Sequence, residues 1–177
     1  MDTQIYDDLL SIDELSKLAD LVDSVDFPYY WQQDIDYDNR ETCDVASYGF
    51  AHMFFDEGTR TYSPYINFVD PLVGAITQRI GKPIKDLLRI RAVLLTNVGH
   101  PHMNSKHVDL DMYPDSLTAV FYPYTTDGDL YVYDKGEAVQ ISPIANRCVV
   151  MLGSVPHHGS NPVGYKRRVA VNVNFTV

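Results

Sequence analysis

The sequence predicts a mainly-β domain with flanking helices, built as a β-sandwich or a jelly roll. Short β-rich runs follow one another after Pro83, with Gly, Pro, Asn and Asp between them. Before Pro83, two stretches carry the apolar spacing of helices. The chain has 177 residues, 45% of them hydrophobic, which suits one domain with a buried core. No repeat or linker interrupts it, so we expect a single domain over 1–177, in which 1–87 support a core formed by 88–177.

The two predicted helices have clear boundary signals. Ser11 precedes an apolar-periodic stretch and Glu14 follows three residues later, which is a capping box for a helix over 12–24. A second helix is predicted over 65–80, where apolar residues recur at helical spacing. Gly81 then supplies the stop, because glycine readily takes the left-handed conformation that ends helices.

The predicted strands are short and rich in aromatic or β-branched residues. They lie at 29–35, 48–55, 90–96, 106–111, 117–124, 129–133, 138–141, 148–152, 155–160 and 168–175. We expect the acidic run 34–38 to be a solvated loop.

Charge and composition narrow the classes of partner. With 14 Lys+Arg against 24 Asp+Glu, the formal net charge is -10, which disfavours binding to nucleic acid. No apolar run approaches the about 20 residues of a membrane span, and the opening residues lack the pattern of a signal peptide. We therefore expect a soluble cytoplasmic protein. Cys43 and Cys148 sit in no CxxC motif, so we expect free thiols rather than a disulfide or a zinc site.

The first chemical signal is His107-Val108-Asp109. In a strand, residues i and i+2 point to the same face, so this tripeptide would present an imidazole and a carboxylate side by side. Two histidines and one carboxylate on one side of a metal suit non-haem Fe(II) enzymes. The tripeptide alone is also compatible with a strand whose polar residues face solvent.

The second signal lies some fifty residues later, at His157-His158 and Arg168. Neighbouring strand residues face opposite ways, so only one of the two histidines can bind the same metal as His107. If Arg168 points inward, it implies a carboxylate ligand, which a guanidinium holds through two parallel hydrogen bonds. If it points outward, it merely extends the basic turn 166–168.

The last predicted strand has two unlike faces. Alternation places Arg168, Ala170, Asn172 and Asn174 on one face and only apolar residues on the other. The apolar face is expected to be core. The polar face is expected to line a wet pocket of the kind that a substrate needs.

The order of these residues resembles the Fe(II)/2-oxoglutarate-dependent dioxygenases, and their spacing is most similar to the prolyl-4-hydroxylase-like branch. An HxD motif at 107–109 is followed by His158 and, ten residues on, by Arg168. The segment from His158 to Pro162 and Val163 also resembles the family's distal histidine segment, which favours His158 over His157. The resemblance covers 88–177 and implies a double-stranded β-helix (jelly-roll) core buttressed by N-terminal helices.

Other positions extend the resemblance. Tyr122 looks like the tyrosine that reaches the far carboxylate of 2-oxoglutarate, and Asn97 falls where the family often places a residue facing the co-substrate. The turn at 127–130 resembles the motif written GGEL, with Asp127 in place of the first glycine. Ala170 stands where one branch has Ser or Thr, which leaves Tyr122 to supply the second carboxylate contact. The loop 100–104 would border the substrate entrance.

The resemblance implies a ligand set and a reaction. His107, Asp109 and His158 would hold Fe(II), and 2-oxoglutarate would chelate it with its far carboxylate on Arg168 and Tyr122. With O2 as co-substrate, the enzyme would release succinate and CO2 and hydroxylate a substrate C–H bond. The organic chemistry would belong to the cofactor.

The substrate stays open at this level. The spacing favours a peptidyl proline in a protein or peptide, and a free amino acid or other small molecule is the alternative. A cupin-type enzyme without 2-oxoglutarate and a non-catalytic jelly-roll module remain further alternatives. An inward Arg168 would separate both of these from a 2-oxoglutarate enzyme. The sequence does not specify an oligomeric state.

Overall fold

The computed structural model describes residues 2–33, 35, 48–110, 112–113, 115–134 and 136–177. The acidic positions of the run 34–38, expected to form a solvated loop, lie outside the described residues, as does Cys43. Cys148 is a buried free thiol, and burial raises its pKa.

The described helices are α1 (Ile12–Asp23) and α2 (Asp70–Ile80), with a 3₁₀ turn at Ile66–Phe68 before α2. The described strands, in chain order, are β1 (Gln4–Tyr6), β2 (Tyr30–Gln32), β3 (Gly49–Asp56), β4 (Thr61–Tyr62), β5 (Asp86–Thr96), β6 (Leu117–Tyr122), β7 (Leu130–Asp134), β8 (Glu137–Ile141), β9 (Arg147–Leu152), β10 (His157–Gly159) and β11 (Arg167–Thr176).

The strands form two antiparallel sheets. The larger has the order β1-β9-β6-β11-β5-β3-β2, with β4 added to β3, and the smaller has the order β10-β7-β8. Strands far apart in sequence, such as β5 and β11, are neighbours, as a jelly roll requires. The predicted mainly-β jelly-roll fold with flanking helices is confirmed.

The central strands of the large sheet are buried on both faces, and β6 shows how. Ala119 and Phe121 point to the helices and belong to the larger hydrophobic cluster. Val120 and Tyr122 point to the small sheet and pack in a second cluster with residues of β7 and β8, such as Leu130. Strand alternation thus places one core under the helices and a second between the sheets.

The N-terminal elements pack against the large sheet. The capping box is present: Glu14 N donates to Ser11 Oγ (3.4 Å), and Ser11 N donates to Glu14 Oε2 (3.0 Å). Leu18 and Val22 of α1 are buried in the cluster on that face. β1, β2 and β3 also add strands to the large sheet, so 1–87 contribute to the sheet itself.

The second helix is shorter than the sequence predicts. The helix predicted over 65–80 is α-helical only from Asp70, since Pro71 cannot donate the hydrogen bond that a continuous helix would need. Gly81 ends it with φ 67°, as expected.

Of the predicted strand 106–111, the described residues 106–110 form a loop. Among these five, only His107 makes a bridge, to His157, and Leu110 takes a left-handed φ of 48°. Among the described residues, neither helix is long and apolar enough to cross a bilayer.

Candidate functional site

Three side chains converge at one end of the space between the two sheets. The ligand-type atoms of His107, Asp109 and His157 all lie within 4.8 Å of one another. His107 and Asp109 come from the loop between β5 and β6, while His157 opens β10. This is a group of two imidazoles and one carboxylate, the donor set that suits non-haem Fe(II).

Backbone hydrogen bonds fix both histidines. The N–H of His107 donates to the carbonyl of His157 (3.0 Å), and the N–H of His157 donates to the carbonyl of His107 (2.8 Å). The Nδ1 atoms lie 3.0 Å from the Ser105 carbonyl and 2.9 Å from the Val155 carbonyl, respectively. Because a carbonyl only accepts, each Nδ1 carries the proton and each Nε2 carries the lone pair that a metal needs.

The structure corrects the expectation for the distal histidine. His158 pairs with Tyr131 across the small sheet, on the face opposite to His157. Its ring stacks on Tyr131 with centroids 5.0 Å apart, and Nε2 lies 3.0 Å from the Tyr133 hydroxyl. His158 is therefore not part of the converging group. Alternation correctly requires that only one of the pair face the site, but the spacing to Arg168 selects the wrong one by one residue.

Burial and charge set the ionisation of this group. Burial by itself would raise the pKa of Asp109, but the guanidinium groups of Arg89 and Arg91 and a hydrogen bond from Asn174 hold that pKa below its ordinary value. Burial lowers the pKa of His157, despite the attraction of Asp109. The group therefore offers an ionised carboxylate together with a neutral imidazole, which are the forms that bind metals.

A cavity of about 50 Å³ runs from this group into the space between the sheets. His107 and His157 line one part of it, and Arg168 lines another. The walls also include the apolar side chains of Leu95, Val120, Leu130 and Ala170. A ligand in this cavity meets both the histidines and a guanidinium.

Arg168 points inward and is only 4% exposed. Its Nη2 donates to the Tyr122 hydroxyl (3.2 Å), while its Nε is buried and has no hydrogen-bond partner in the part of the chain that the structure describes. Burial raises the pKa of Tyr122, so the phenol stays neutral and does not balance the charge. Burying a cation without a counter-ion is costly, so this arrangement suits an anionic ligand.

Comparison with known proteins finds no matching protein-family model and no matching curated protein. Solved structures do match. A prolyl hydroxylase from Trichoplax adhaerens, in complex with a hypoxia inducible factor peptide fragment, is 13% identical with a TM-score of 0.71, over 98% of this chain and 83% of that one. A prolyl-4-hydroxylase from Pseudomonas putida is 19% identical with a TM-score of 0.64, over 98% and 91%.

A third match is an oxidoreductase of the 2OG-Fe(II) oxygenase family from Burkholderia pseudomallei. It is 12% identical with a TM-score of 0.70, over 98% of this chain and 85% of that one. The chain has the fold of the 2OG-Fe(II) oxygenases. At these identities the likeness establishes the fold, and the chemistry has to be argued from the site.

Within this oxygenase fold, two glycines make room for Arg168. A Cβ on Gly128, which has φ 91°, would lie 2.9 Å from Arg168 Cδ and 2.7 Å from the Ser160 carbonyl oxygen. A Cβ on Gly159 would lie 3.3 Å from both terminal guanidinium nitrogens. Both positions therefore favour glycine, because any side chain would crowd the guanidinium.

Asp127, which replaces the first glycine of the GGEL-like turn, has a structural role of its own. Its Oδ2 accepts hydrogen bonds from the backbone N–H groups of Val163 (3.0 Å) and Gly164 (2.6 Å). The carboxylate thus fixes the connection between β10 and β11, directly before the strand that carries Arg168. Asp127 differs from the motif, but Gly128, the second glycine of the motif, is present.

Asn97 does not have the expected position. Its Nδ2 donates to the carbonyls of Val163 (2.7 Å) and Tyr165 (3.2 Å), and its Oδ1 accepts from Gly99 N (2.7 Å). The side chain is exposed and does not line the cavity. Asn97 lies just past the end of β5, where it ties two loops together. Asn104, from the loop 100–104, does line the cavity.

The sequence interpretation missed the second layer around Asp109. Arg89 and Arg91 alternate with apolar residues on β5, and Arg89 Nη2 donates to Asp109 Oδ1 (3.1 Å). Two arginines at i and i+2 in a strand that is otherwise largely apolar are a detectable signal, because a cation on a half-buried face needs a partner.

Proposed function

We propose that this protein is an Fe(II)- and 2-oxoglutarate-dependent oxygenase that hydroxylates a substrate C–H bond. His107, Asp109 and His157 hold the iron, while Arg168 and Tyr122 hold the far carboxylate of 2-oxoglutarate. The observation that carries the proposal is the coexistence, in one cavity, of a two-histidine, one-carboxylate group and a buried arginine without a described carboxylate partner.

The donor set fits iron. Both Nε2 atoms bear lone pairs and Asp109 is ionised, so the three residues would supply two nitrogens and one oxygen to the metal, the donor set of non-haem Fe(II) enzymes that bind a co-substrate and O2. A zinc site of the structural type would close its coordination with four protein ligands, and three are gathered here among the described residues.

The other end of the cavity fits a dicarboxylate. Arg168 offers its partnerless Nε, and Nη2, which has a second N–H besides the one on Tyr122, lies on the same edge of the guanidinium, so this edge matches the two oxygens of a carboxylate. The Tyr122 hydroxyl oxygen accepts from Arg168, so its own proton remains available to donate to that carboxylate. Leu95, Val120, Leu130 and Ala170 give apolar walls for the methylene groups.

When bound, iron and 2-oxoglutarate together supply the oxidising chemistry, and the chain supplies position and environment. The carbonyls of Ser105 and Val155 hold the two rings in the tautomer that presents Nε2. Arg168 anchors the co-substrate in one orientation. Leu95, Val120, Leu130 and Ala170 place apolar surface beside these groups, and polar contacts are stronger in less polar surroundings.

A peptidyl proline is the substrate we propose. The similarity in fold to two prolyl hydroxylases, one of them in complex with a peptide, supports this choice.

The test is turnover with proline-containing peptides. The protein is incubated with Fe(II), 2-oxoglutarate and a peptide library, succinate is quantified, and peptides are examined by mass spectrometry for a gain of one oxygen. Arg168→Met, which removes the anchor, is the inactive control. Hydroxylation of free amino acids with peptides untouched would refute the peptide substrate alone. Absence of both 2-oxoglutarate binding and turnover would refute the oxygenase itself.

A further inference from the structure

Three polar side chains form a row across the centre of the large sheet. Asn174 on β11 is the register partner of Arg89 on β5 and of Thr118 on β6. Arg89 lies on the same face of β5 as Leu95, which lines the cavity. The row therefore lies on the face of the large sheet that is turned toward the small sheet.

All three members of the row bind Asp109. Arg89 Nη2 donates to Oδ1 (3.1 Å), while Thr118 Oγ1 (3.2 Å) and Asn174 Nδ2 (3.0 Å) both donate to Oδ2. The members also bind one another, since Arg89 Nε donates to Asn174 Oδ1 (3.1 Å) and Asn174 Nδ2 donates to Thr118 Oγ1 (2.9 Å). Both oxygens of the Asp109 carboxylate therefore accept hydrogen bonds from a network whose members also bind one another.

These side-chain hydrogen bonds matter because the backbone of Asp109 does little to fix its position. Asp109 belongs to a loop rather than a strand, and within the described parts of the chain its backbone makes one hydrogen bond, from its N–H to the Gly153 carbonyl (3.1 Å). Leu110 follows in the left-handed region at φ 48°, where a branched side chain is uncommon. By contrast, the row that holds the carboxylate lies on three long, hydrogen-bonded strands.

We propose that Arg89 is the positioning residue of the metal site, fixing the Asp109 carboxylate for coordination through its planar fork. The inference rests on the proposed function. The side chains of Arg89 and Asp109 are 12% and 4% exposed, so the pair is shielded from water. Because one edge of the guanidinium binds both Asp109 and Asn174, it couples the ligand to the residue that holds the ligand's other oxygen.

If Arg89 instead competed with the metal for Asp109, removing Arg89 would change metal affinity in the opposite direction. A cation that competed with the metal for Asp109 would weaken metal binding, and removing it would tighten the complex. A cation that orients the carboxylate has to be present for tight binding, and outer-shell partners of this kind typically contribute about 10- to 100-fold in affinity. The sign of the change on removing Arg89 therefore decides between the two roles.

The experiment is a titration of the full chain with Mn(II), an oxygen-stable probe for the Fe(II) site, with free Mn(II) followed by electron paramagnetic resonance. We expect Arg89→Met to weaken Mn(II) binding by about 10- to 100-fold. Arg89→Lys should restore part of the affinity, because it keeps the charge but cannot bridge two partners. Arg147→Met, which breaks the ion pair with Asp7 on the far edge of the large sheet, is the matched control and should bind as the wild type does.

Removing the largely buried Arg89 side chain can unfold the protein, so the series includes a second variant that should disturb the fold less. Thr118→Val keeps the side-chain shape, removes one hydrogen bond to Oδ2 and should weaken Mn(II) binding less than Arg89→Met does. Unchanged or tighter binding in folded Arg89→Met overturns the positioning role. If Arg89→Met does not fold, full wild-type affinity in both Arg89→Lys and Thr118→Val overturns it instead. A wild type that binds no Mn(II) overturns the proposed function together with this inference.

Discussion

The two ends of the cavity are built in different ways. Arg168 and Tyr122 stand on β11 and β6, adjacent strands in the middle of the large sheet. His107 and Asp109 stand on a loop that contacts β10, a strand of three residues, through the His107–His157 bridge and the hydrogen bond from Asn104 N to the Gly159 carbonyl. The end of the cavity with Arg168 and Tyr122, which we call the carboxylate end after the ligand group it would bind, is thus fixed by the sheet. The end with His107 and Asp109, which we call the metal end, is fixed by individual hydrogen bonds.

This difference predicts how each end responds to change. Central strands keep their place through many shared backbone bonds, so a substitution at the carboxylate end should remove a contact without moving its neighbours. At the metal end each hydrogen bond carries more of the positioning, so small changes should propagate to the ligands. The following substitutions test this contrast, beginning with the largest expected effect.

His157→Ala should abolish metal binding, because it removes one of three converging ligands. His158→Ala is the matched control. It removes a neighbouring ring that stacks on Tyr131 outside the site and should leave metal affinity close to wild type, with a stability loss of about 0.5–1.5 kcal/mol. Mn(II) titration and thermal unfolding measure the two effects. Metal binding lost in the His158 variant and kept in the His157 variant would reverse our ligand assignment.

Arg168→Ala should weaken 2-oxoglutarate binding by about 2–5 kcal/mol, or about 30-fold and more, because it leaves a carboxylate buried without its partner. Metal affinity should stay unchanged, since Arg168 is not part of the converging group. Arg167→Ala is the control, because that neighbouring side chain is partly exposed and paired with Asp23 rather than buried in the cavity. Isothermal titration of the metal-loaded protein with 2-oxoglutarate gives the measurement. Equal affinities in both variants would place the anchor elsewhere.

The same contrast explains what the sequence could predict. The faces of β11 follow from alternation alone: Val169, Val171, Val173 and Phe175 lie in the core under the helices, and Arg168 faces the cavity. Asn172 lines the cavity as expected, whereas Asn174 is fully buried and holds Asp109. Arg168 donates to the Tyr122 hydroxyl, so the two residues that the resemblance assigns to the far carboxylate lie next to one another.

The errors fall where the chain leaves regular structure. The spacing of ten residues before Arg168 selects His158 although His157 faces the converging group, because the connection between β10 and β11 has no fixed length and does not determine the face. The position of Asn97 differs from the expected one for a similar reason, since Asn97 lies just beyond β5, where alternation no longer applies. The role of Arg89 depends on Asp109 arriving from a loop, a contact that a strand pattern cannot reveal.

Gly128→Ala should impair 2-oxoglutarate binding and stability together. The new methyl would meet Arg168 Cδ at 2.9 Å, and φ 91° adds backbone strain of about 1–3 kcal/mol. Gly136→Ala separates the two causes, because Gly136 has a similar φ of 89° but no atom within 4 Å of the added carbon. Both variants should lose stability, and only Gly128→Ala should lose 2-oxoglutarate affinity. A matching loss of affinity in Gly136→Ala would show that strain, rather than crowding of the guanidinium, is responsible.

The smallest expected effect concerns His52, far from the metal group in the packing between β3 and the N-terminal segment. Its Nδ1 donates to the Pro28 carbonyl (2.8 Å), its Nε2 lies 2.8 Å from the Ser63 hydroxyl, and its ring packs on Phe27 and Phe54. Burial lowers the pKa of His52. The unfolded chain, with an ordinary histidine pKa of about 6.5, therefore takes up the proton first as the pH falls.

The sign of the pH dependence follows from that order of protonation. The contribution of neutral His52 to stability is fully present above about pH 6.5 and is lost as the pH falls through the folded pKa. His52→Gln keeps a donor and an acceptor but cannot titrate, so its free energy of unfolding should fall less between pH 8 and pH 5.5 than that of the wild type. Urea unfolding at the two pH values measures the difference, to which His157 and His158 contribute equally in both proteins. Parallel losses in the two proteins would mean that His52 protonates without cost, and that the packing around its ring accommodates the charge.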